Sequence, residues 1–191
     1  MVGPVISNVG PTFMVGRELL MVLVVALLLL ATGGATHAHP TDPRLAAMQS
    51  MRFLIGSWQC HTHIVGGSDY DYSMTIRNAL GGSWMKADLE ALRFAHAATL
   101  REEFYWTYVP LNESWKLNTF DSGGNYGDFD APWWNGSTIA WHGRRVIMGH
   151  TIGGVIDWTK GSSRSFESRE FDTDVEGHLT LMSSAACRKS G

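Results

Sequence analysis

The residues best suited to acid–base chemistry in this sequence are carboxylates on segments of alternating polarity. In LREEFYWTYVP, Glu102 shares one face of an extended chain with Phe104 and Trp106, and Glu103 lies on the other face. A carboxylate that points into an apolar interior beside a histidine has a perturbed pKa, and such groups often mark catalytic sites. One hypothesis is therefore an enzyme with a carboxylate–histidine pair; the alternative is a surface carboxylate at a strand end.

The segment SWMKADLEA raises the same question for two further acidic residues. Its alternate residues form two sets. The first set is Trp84, Lys86, Asp88 and Glu90. The second set is Met85, Ala87, Leu89 and Ala91. If the interior is apolar, the second set faces inward and both carboxylates face solvent.

The histidines are candidate ligands for a metal or for haem. His61 and His63 are two residues apart and project from one face of a strand, but no third ligand follows at a recognisable spacing, so we expect no metal site. His142, His150 and His178 are isolated in the sequence. Each could be an axial haem ligand on a barrel wall or an ordinary, partly exposed histidine. We therefore expect no cofactor and keep haem as an alternative.

Aromatic residues are spread over nearly every segment of the chain. Tryptophan can fill a core, and it can also stack on a flat ligand. Trp58, close to the start of the domain, is expected to be a structural plug at the floor of the fold. The candidate ligand-contacting residues are Trp84, Trp106, Tyr108, Trp115, Trp133 and Trp141.

The elements that position these side chains are predicted to be short strands. From residue 54 onward the polarity alternates with period two, and glycine-bearing turns such as LGGS, SGGNYG and TIGG punctuate the chain. We expect eight to eleven strands, with separate strands at 137–142, 145–151 and 154–158. A sheet of this size removes its exposed edges by closing, so the fold class is an all-β, antiparallel, up-and-down barrel.

A short helix precedes the strands. Asp42 is a good N-cap, and Pro43 suits the first helical position. Leu45, Met48 and Met51 then recur at intervals of three and give the helix one apolar face. We expect this helix to cover one end of the barrel.

The two cysteines of the chain lie at opposite ends of the predicted domain. Cys60 falls in the first strand and Cys187 in the last. If the strands run up and down in order, these two strands become neighbours and a disulfide closes the seam. The alternative is two independent buried thiols.

The N-terminus carries a predicted signal peptide. The apolar run LLMVLVVALLLLA follows Arg17 and Glu18 and is shorter than a bilayer-spanning helix, and small residues come next. We assign 1–38 to the signal peptide, with Met14 as an alternative start, and 39–191 to a single domain. A membrane anchor is the alternative, but we expect none after cleavage. Export places the domain in a secreted or periplasmic, oxidising compartment.

Charge argues against nucleic acid as a partner. The chain has 15 basic and 18 acidic residues, and the basic ones are scattered along it. Nucleic-acid binding needs a clustered basic surface.

Five segments together resemble a bacterial family of unknown function. They are LIGSWQC, LGGSWMKADLE, ESWKLNTFDSGGNYG, APWWNGSTIAWHG and GHLTLMSSAACRK. Members of that family are often exported and are expected to form calycin-like, lipocalin-related β-barrels. The Gly-x-Trp at 56–58 is similar to the first-strand signature of lipocalins and of nitrobindin-type haem barrels. Those haem barrels carry a further glycine soon after the tryptophan, whereas Gln59, Cys60 and His61 follow it here.

These observations lead to one main hypothesis and three alternatives. The main hypothesis is an exported, calycin-like barrel that binds a small apolar or aromatic ligand in an aromatic-lined cavity. The alternatives are an enzyme on the same barrel, a haem-binding barrel, and a structural module with a filled core.

Overall fold

The structure is a computed structural model, and it describes residues 42–91 and 99–190. The predicted signal peptide, 1–38, and the alternative start at Met14 lie outside the described residues. Within the described part of the chain, no helix is both long and apolar enough to cross a bilayer.

One short helix is followed by ten antiparallel strands. The helix α1 spans Pro43–Ser50, and single 3-10 turns occur at Arg52–Leu54 and Leu80–Gly82. The strands are β1 Gly56–Ile64, β2 Tyr70–Ala79, β3 Trp84–Ala91, β4 Leu100–Val109, β5 Ser114–Asp121, β6 Tyr126–Ala131, β7 Thr138–Ile147, β8 His150–Ser162, β9 Ser165–Thr173 and β10 Leu179–Lys189.

The strands form a closed up-and-down barrel. Each strand pairs with its neighbours in sequence, and β1 also pairs with β10, so the described sheet has no free edge. This confirms the predicted fold class and strand number. Closure leaves two ends: the helix end, next to α1, and the far end, where the connections β1–β2, β5–β6, β7–β8 and β9–β10 lie.

Alternation along the strands sorts side chains between the interior and the solvent as predicted. In β1, Trp58, Cys60 and Thr62 are buried, and the intervening His61 and His63 are exposed. In β3 the buried residues are Met85, Ala87, Leu89 and Ala91. The inward face of β3 is therefore the apolar one, as expected for an apolar interior.

The predicted division of residues 137–158 into three strands is wrong. The glycines at the predicted breaks lie within strands, and Gly143 lets a neighbouring strand come close, so they do not form turns. A Cβ on Gly143 would lie 2.1 Å from the carbonyl oxygen of Asp128 on the neighbouring strand. The TIGG glycines lie inside β8. The hairpin turn instead falls at Met148 and Gly149, whose φ angles are 51° and 82°. Two consecutive positive φ angles match the twist of an antiparallel hairpin.

The helix end of the barrel is filled and covered. Asp42 caps α1 by accepting a hydrogen bond from the Arg44 backbone N–H at 2.9 Å. Met48 and Met51 of this segment join the same buried cluster as Trp58. The Trp58 indole N–H donates to the Leu54 carbonyl at 2.6 Å, which holds the ring in place. Trp58 is fully buried, and its role as a plug stays a prediction.

A disulfide joins Cys60 and Cys187 across the barrel seam. The two residues are direct partners in the β1–β10 register, with Cα atoms 4.1 Å apart. The predicted pairing is therefore confirmed, and the alternative of two free thiols is wrong. A disulfide is consistent with an oxidising compartment outside the cytosol.

Candidate functional site

The barrel interior is packed near the helix end and hollow toward the far end. The hollow region, here called the inner compartment, has a volume of about 60 Å³. A cavity that binds one benzene molecule measures roughly 150 Å³, so the inner compartment alone is smaller than such a cavity. Its apolar wall includes Met74, Ile76, Ala87, Leu89, Phe104, Leu117, Ile156, Phe166 and Ala185.

Tryptophans form the deep side of the inner compartment. Trp106 and Trp158 both line it, and their ring centroids lie 5.4 Å apart in an edge-to-face arrangement. Trp141 packs behind them, with its ring centroid 5.3 Å from that of Trp158. The indole N–H of Trp106 is buried and has no hydrogen-bond partner among the described residues. This contact surface suits a flat apolar body, which aromatic rings bind through their edges and faces.

A second, polar hollow adjoins the first nearer to the far end. This outer compartment has a volume of about 100 Å³. The residues that line both compartments are Glu102, Phe104, Thr119, Ile156 and Glu170. Asp121, Asn125, Tyr126 and Arg145 line the outer compartment only. A ligand that fills both would place an apolar end among tryptophans and a polar end among charges.

Arg145 is held between two carboxylates of β9. Its two terminal nitrogens donate to Glu170 Oε2 at 2.9 Å and to Asp172 Oδ1 at 2.5 Å. Only 18% of the Arg145 side chain is exposed, so these charge-assisted bonds operate away from bulk water. The two terminal nitrogens of the guanidinium therefore have partners within the protein, whereas Nε is buried and has no hydrogen-bond partner among the described residues.

Glu102 points into the cavity and has an altered pKa. Burial, followed by the negative charges of Glu170 and Asp121, raises the pKa of Glu102 to about 8, and Arg145 opposes this only in part. Among the described residues, Glu102 has no hydrogen-bond or salt-bridge partner. At neutral pH the carboxyl is therefore mostly protonated.

Two tyrosines of β2 line the inner compartment beside Thr62. Burial raises the pKa of Tyr70 to about 12, and it also raises the pKa of Tyr72. The Tyr72 hydroxyl lies 3.6 Å from the Sγ of Cys187, to which it donates. Both phenols are therefore neutral hydrogen-bonding groups under ordinary conditions, and one of them contacts the disulfide.

The six predicted ligand-contacting aromatics do not come together around the cavity. Trp106 lines it, and Trp141 lies one layer behind. Tyr108 and Trp115 pack against each other, with centroids 5.5 Å apart, outside the cavity lining. Trp84 lies on the outward face of β3, and Trp133, in the β6–β7 connection, is 61% exposed. Ligand contact therefore remains a prediction, which we retain for Trp106.

The acidic residues and histidines of β3 and β1 face outward. Asp88 pairs with Lys86 and Arg77, and Glu90 lies 3.6 Å from Arg101, all on the outer surface. Each of the five described histidines is exposed and none lines the cavity: His61, His63, His142, His150 and His178. Among the described residues, the structure therefore pairs no histidine with Glu102 and offers no histidine to a haem in this cavity.

Three cavity residues were missed by the sequence analysis. Trp158 follows the inward alternation of β8, while Glu170 and Arg145 follow those of β9 and β7. Each could have been placed inside once the strand boundaries were known. The misplaced turns around Gly143 and TIGG hid that alternation for Arg145 and Trp158.

The comparisons with known proteins support the barrel fold. No protein-family model matches the chain, and no curated protein sequence does. The chain is similar to Rv2717c from M. tuberculosis, with a TM-score of 0.56, 12% identity, and coverage of 76% of this chain and 98% of that chain. It is also similar to the S-type phycobiliprotein lyase CPES from Guillardia theta, with a TM-score of 0.52, 9% identity, and coverage of 75% and 90%. Both likenesses concern the fold alone, and they agree with the closed antiparallel barrel.

Proposed function

We propose that this protein is an exported barrel that binds a small, largely apolar or aromatic molecule in its interior. The observation that carries the proposal is a hollow whose deep side is formed by Trp106 and Trp158 and whose outer side is polar. Concave, mostly apolar cavities with a few polar groups are the usual form of small-molecule sites. No cofactor, nucleic acid or membrane anchor is part of the proposal.

The size of the cavity favours a ligand with a single ring. The inner and outer compartments, of about 60 and 100 Å³, together approach the roughly 150 Å³ of a cavity that binds benzene. A short polar chain on that ring would extend past Glu102 into the outer compartment. Larger fused-ring molecules would need the wall to move, which a close-packed interior resists.

A pair of neighbouring alanines tests the cavity. Ala185 lines the inner compartment, and Ala186, the next residue of β10, is exposed. We expect 2-phenylethanol to bind the wild-type protein saturably and to change its tryptophan fluorescence. Ala185→Leu fills part of the hollow and should weaken binding about tenfold or more, whereas Ala186→Leu should bind as the wild type does.

The outcome that contradicts the binding proposal is equally specific. If calorimetry and fluorescence detect no saturable binding of 2-phenylethanol, or if both leucine variants weaken it equally, the interior is not the site.

The export part of the proposal has a separate test. The mass of the protein purified from its native compartment should show that the residues up to about Ala38 have been removed.

A further inference from the structure

The inner face of the far end has more negative than positive groups. The carboxylates that line the two compartments are Glu102, Asp121 and Glu170, and Arg145 is the one cationic side chain among the described lining residues. Arg145 is already engaged by Glu170 and Asp172. The charge of Arg145 is therefore already compensated, and the described part of the lining offers no other cation to an anionic ligand.

Asp121 is also satisfied within the protein. Its Oδ1 accepts the backbone N–H groups of Gly123 at 2.7 Å and Asn125 at 3.0 Å, and its Oδ2 accepts the Asn125 side-chain amide at 2.7 Å. These bonds shape the β5–β6 turn. Of the three lining carboxylates, Glu102 alone has no hydrogen-bond or salt-bridge partner among the described residues.

Glu102 occupies the boundary between the apolar and polar parts of the cavity. It lines both compartments, and the inward residues next to it on its own strand are Phe104 and Trp106. On the neighbouring strand β3, the residue directly opposite Glu102 is Leu89. A carboxylate left unpaired in such surroundings is costly, unless it is protonated or meets a cation.

We propose that the cavity is selective for a small molecule that joins an aromatic or apolar body to a cationic amine, with the amine bound at Glu102. The ring would occupy the inner compartment against Trp106 and Trp158. The ammonium would supply the counter-charge that Glu102 lacks, and the aromatic rings of the wall would add cation–π attraction. This inference rests on the proposed ligand-binding function.

The charge of the wall also agrees with an amine. The carboxylates at the boundary would repel an anionic head group, since like charges at short range raise each other's energy. A neutral alcohol would be tolerated without a charge partner.

The expected pH dependence follows from the protonation of Glu102. The charged or titratable groups that face Glu102 are Tyr70 and Tyr72 on β2, Asp121 on β5, Tyr126 on β6, Arg145 on β7, and Glu170 and Asp172 on β9. Burial moves the titration of Tyr70 and Tyr72 to higher pH. Between pH 6 and 8, the amine must therefore displace the Glu102 proton, and its affinity should rise with pH toward a limit of about tenfold per unit.

The experiment compares three probes that share a phenyl ring and differ in charge: 2-phenylethylamine, 2-phenylethanol and phenylacetate. Their affinities are measured by calorimetry between pH 6 and 9 on the wild type, Glu102→Gln and the matched control Glu103→Gln. Glu103 is the adjacent, outward-facing residue and pairs with Lys86 at 2.7 Å.

On the wild type at pH 8, we expect the amine to bind roughly ten- to hundredfold more tightly than the alcohol, and phenylacetate to bind more weakly than both. Calorimetry in two buffers of different ionisation enthalpy should show close to one proton released per amine bound at pH 6–7. Glu102→Gln should abolish the proton release and bring the amine to the affinity of the alcohol. Glu103→Gln should change neither.

Three outcomes would overturn the inference. If the alcohol binds and the amine gains nothing over it, the cavity binds ligands without the proposed selectivity, and the proposed function survives alone. If the amine releases no proton from the wild type, or if both glutamine variants behave alike, Glu102 is not its partner. If none of the probes binds, the proposed function and the inference fail together.

Discussion

Glu102 and Glu103 are adjacent and chemically identical, but the strand gives them opposite surroundings. Glu103 faces outward and accepts hydrogen bonds from the Lys86 ammonium and the Tyr105 hydroxyl, and these bonds lower its pKa. Glu102 faces the cavity, where burial and nearby carboxylates raise its pKa to about 8. At the residue scale, one step along the backbone therefore separates a structural ion pair from a candidate binding group.

The raised pKa of Glu102 predicts a loss of stability with increasing pH. The folded state keeps this proton up to about pH 8, whereas the unfolded chain releases it near 4.5, so the free energy of unfolding falls as pH rises through that window. The mechanism is the cost of placing a charge in the cavity. Urea denaturation at pH 5, 6, 7 and 8 measures the slope, and Glu102→Gln should make it clearly shallower.

Glu103→Gln is the control for this slope. Hydrogen bonds with Lys86 and Tyr105 lower the pKa of Glu103, so its contribution changes only at more acidic pH. The pKa of His61 is raised by its hydrogen bond to Asp71, so a small dependence of the free energy of unfolding on pH should remain in both variants. Equal slopes for wild type and Glu102→Gln would show that the carboxyl is already ionised at neutral pH.

Sequence alone could place Glu102 on a face with Phe104 and Trp106, because alternation needs only local information. It could not reveal the engagement of Arg145. The partners of Arg145, Glu170 and Asp172, are 25 and 27 residues away on another strand, and both contacts depend on barrel register. The absence of a described partner for Glu102 is likewise a property of the assembled barrel.

At the scale of strands, glycine has two different roles in this chain. Gly149 accepts a positive φ in the β7–β8 hairpin, whereas Gly143 lies mid-strand against the backbone of β6. In the sequence, both are isolated glycines between residues that favour strands. What distinguishes them is the contact of Gly143 with β6, and the local sequence does not show that contact. The existence of the strands was therefore predictable, but the boundaries between 137 and 158 were not.

The crowding at Gly143 predicts a destabilising substitution. A Cβ there would lie 2.1 Å from the Asp128 carbonyl oxygen and 2.7 Å from the Phe129 Cα, and both are backbone atoms that can yield only if the β6–β7 pairing shifts. Gly143→Ala should lower the free energy of unfolding by about 2–3 kcal/mol, as overpacking does elsewhere. Thermal and urea denaturation measure the change.

Gly153 provides the matched control on the adjacent strand. A Cβ at Gly153 meets the Thr173 Cβ at 3.5 Å and the Thr173 carbonyl oxygen at 3.6 Å, which are ordinary contacts. Gly153→Ala should therefore stay within about 0.5 kcal/mol of the wild type or gain slightly from reduced freedom of the unfolded chain. If the two alanine variants prove equally stable, the close approach of β6 and β7 is not the reason for glycine at position 143.

At the scale of the whole molecule, the disulfide closes the barrel between its first and last strands. The cysteines are 127 residues apart in the sequence, so the bond constrains nearly the entire described chain. In the chain-entropy view, a loop of this length contributes at most about 5 kcal/mol. The barrel closure does not depend on the disulfide alone, because β1 also pairs with β10 over seven residue pairs.

Removing the disulfide should therefore lower stability without abolishing the barrel. The double variant Cys60→Ser with Cys187→Ser is expected to lose about 2–5 kcal/mol in urea denaturation and to keep a β-type circular dichroism spectrum. A thiol reductant should shift the wild type to a similar stability and leave the double variant unchanged. If the reductant destabilises both proteins equally, its effect does not act through this bond.

The Tyr72 hydroxyl contacts Cys187 Sγ and also lines the inner compartment, so the disulfide and the candidate ligand cavity are in contact through this side chain. Protein produced in a bacterial cytosol, or stored with dithiothreitol, would present this wall with two thiols in place of the cystine. Ligand screens on such material would sample a looser chamber with altered polarity. Material with the disulfide formed is therefore the appropriate starting point for testing the proposed ligand binding.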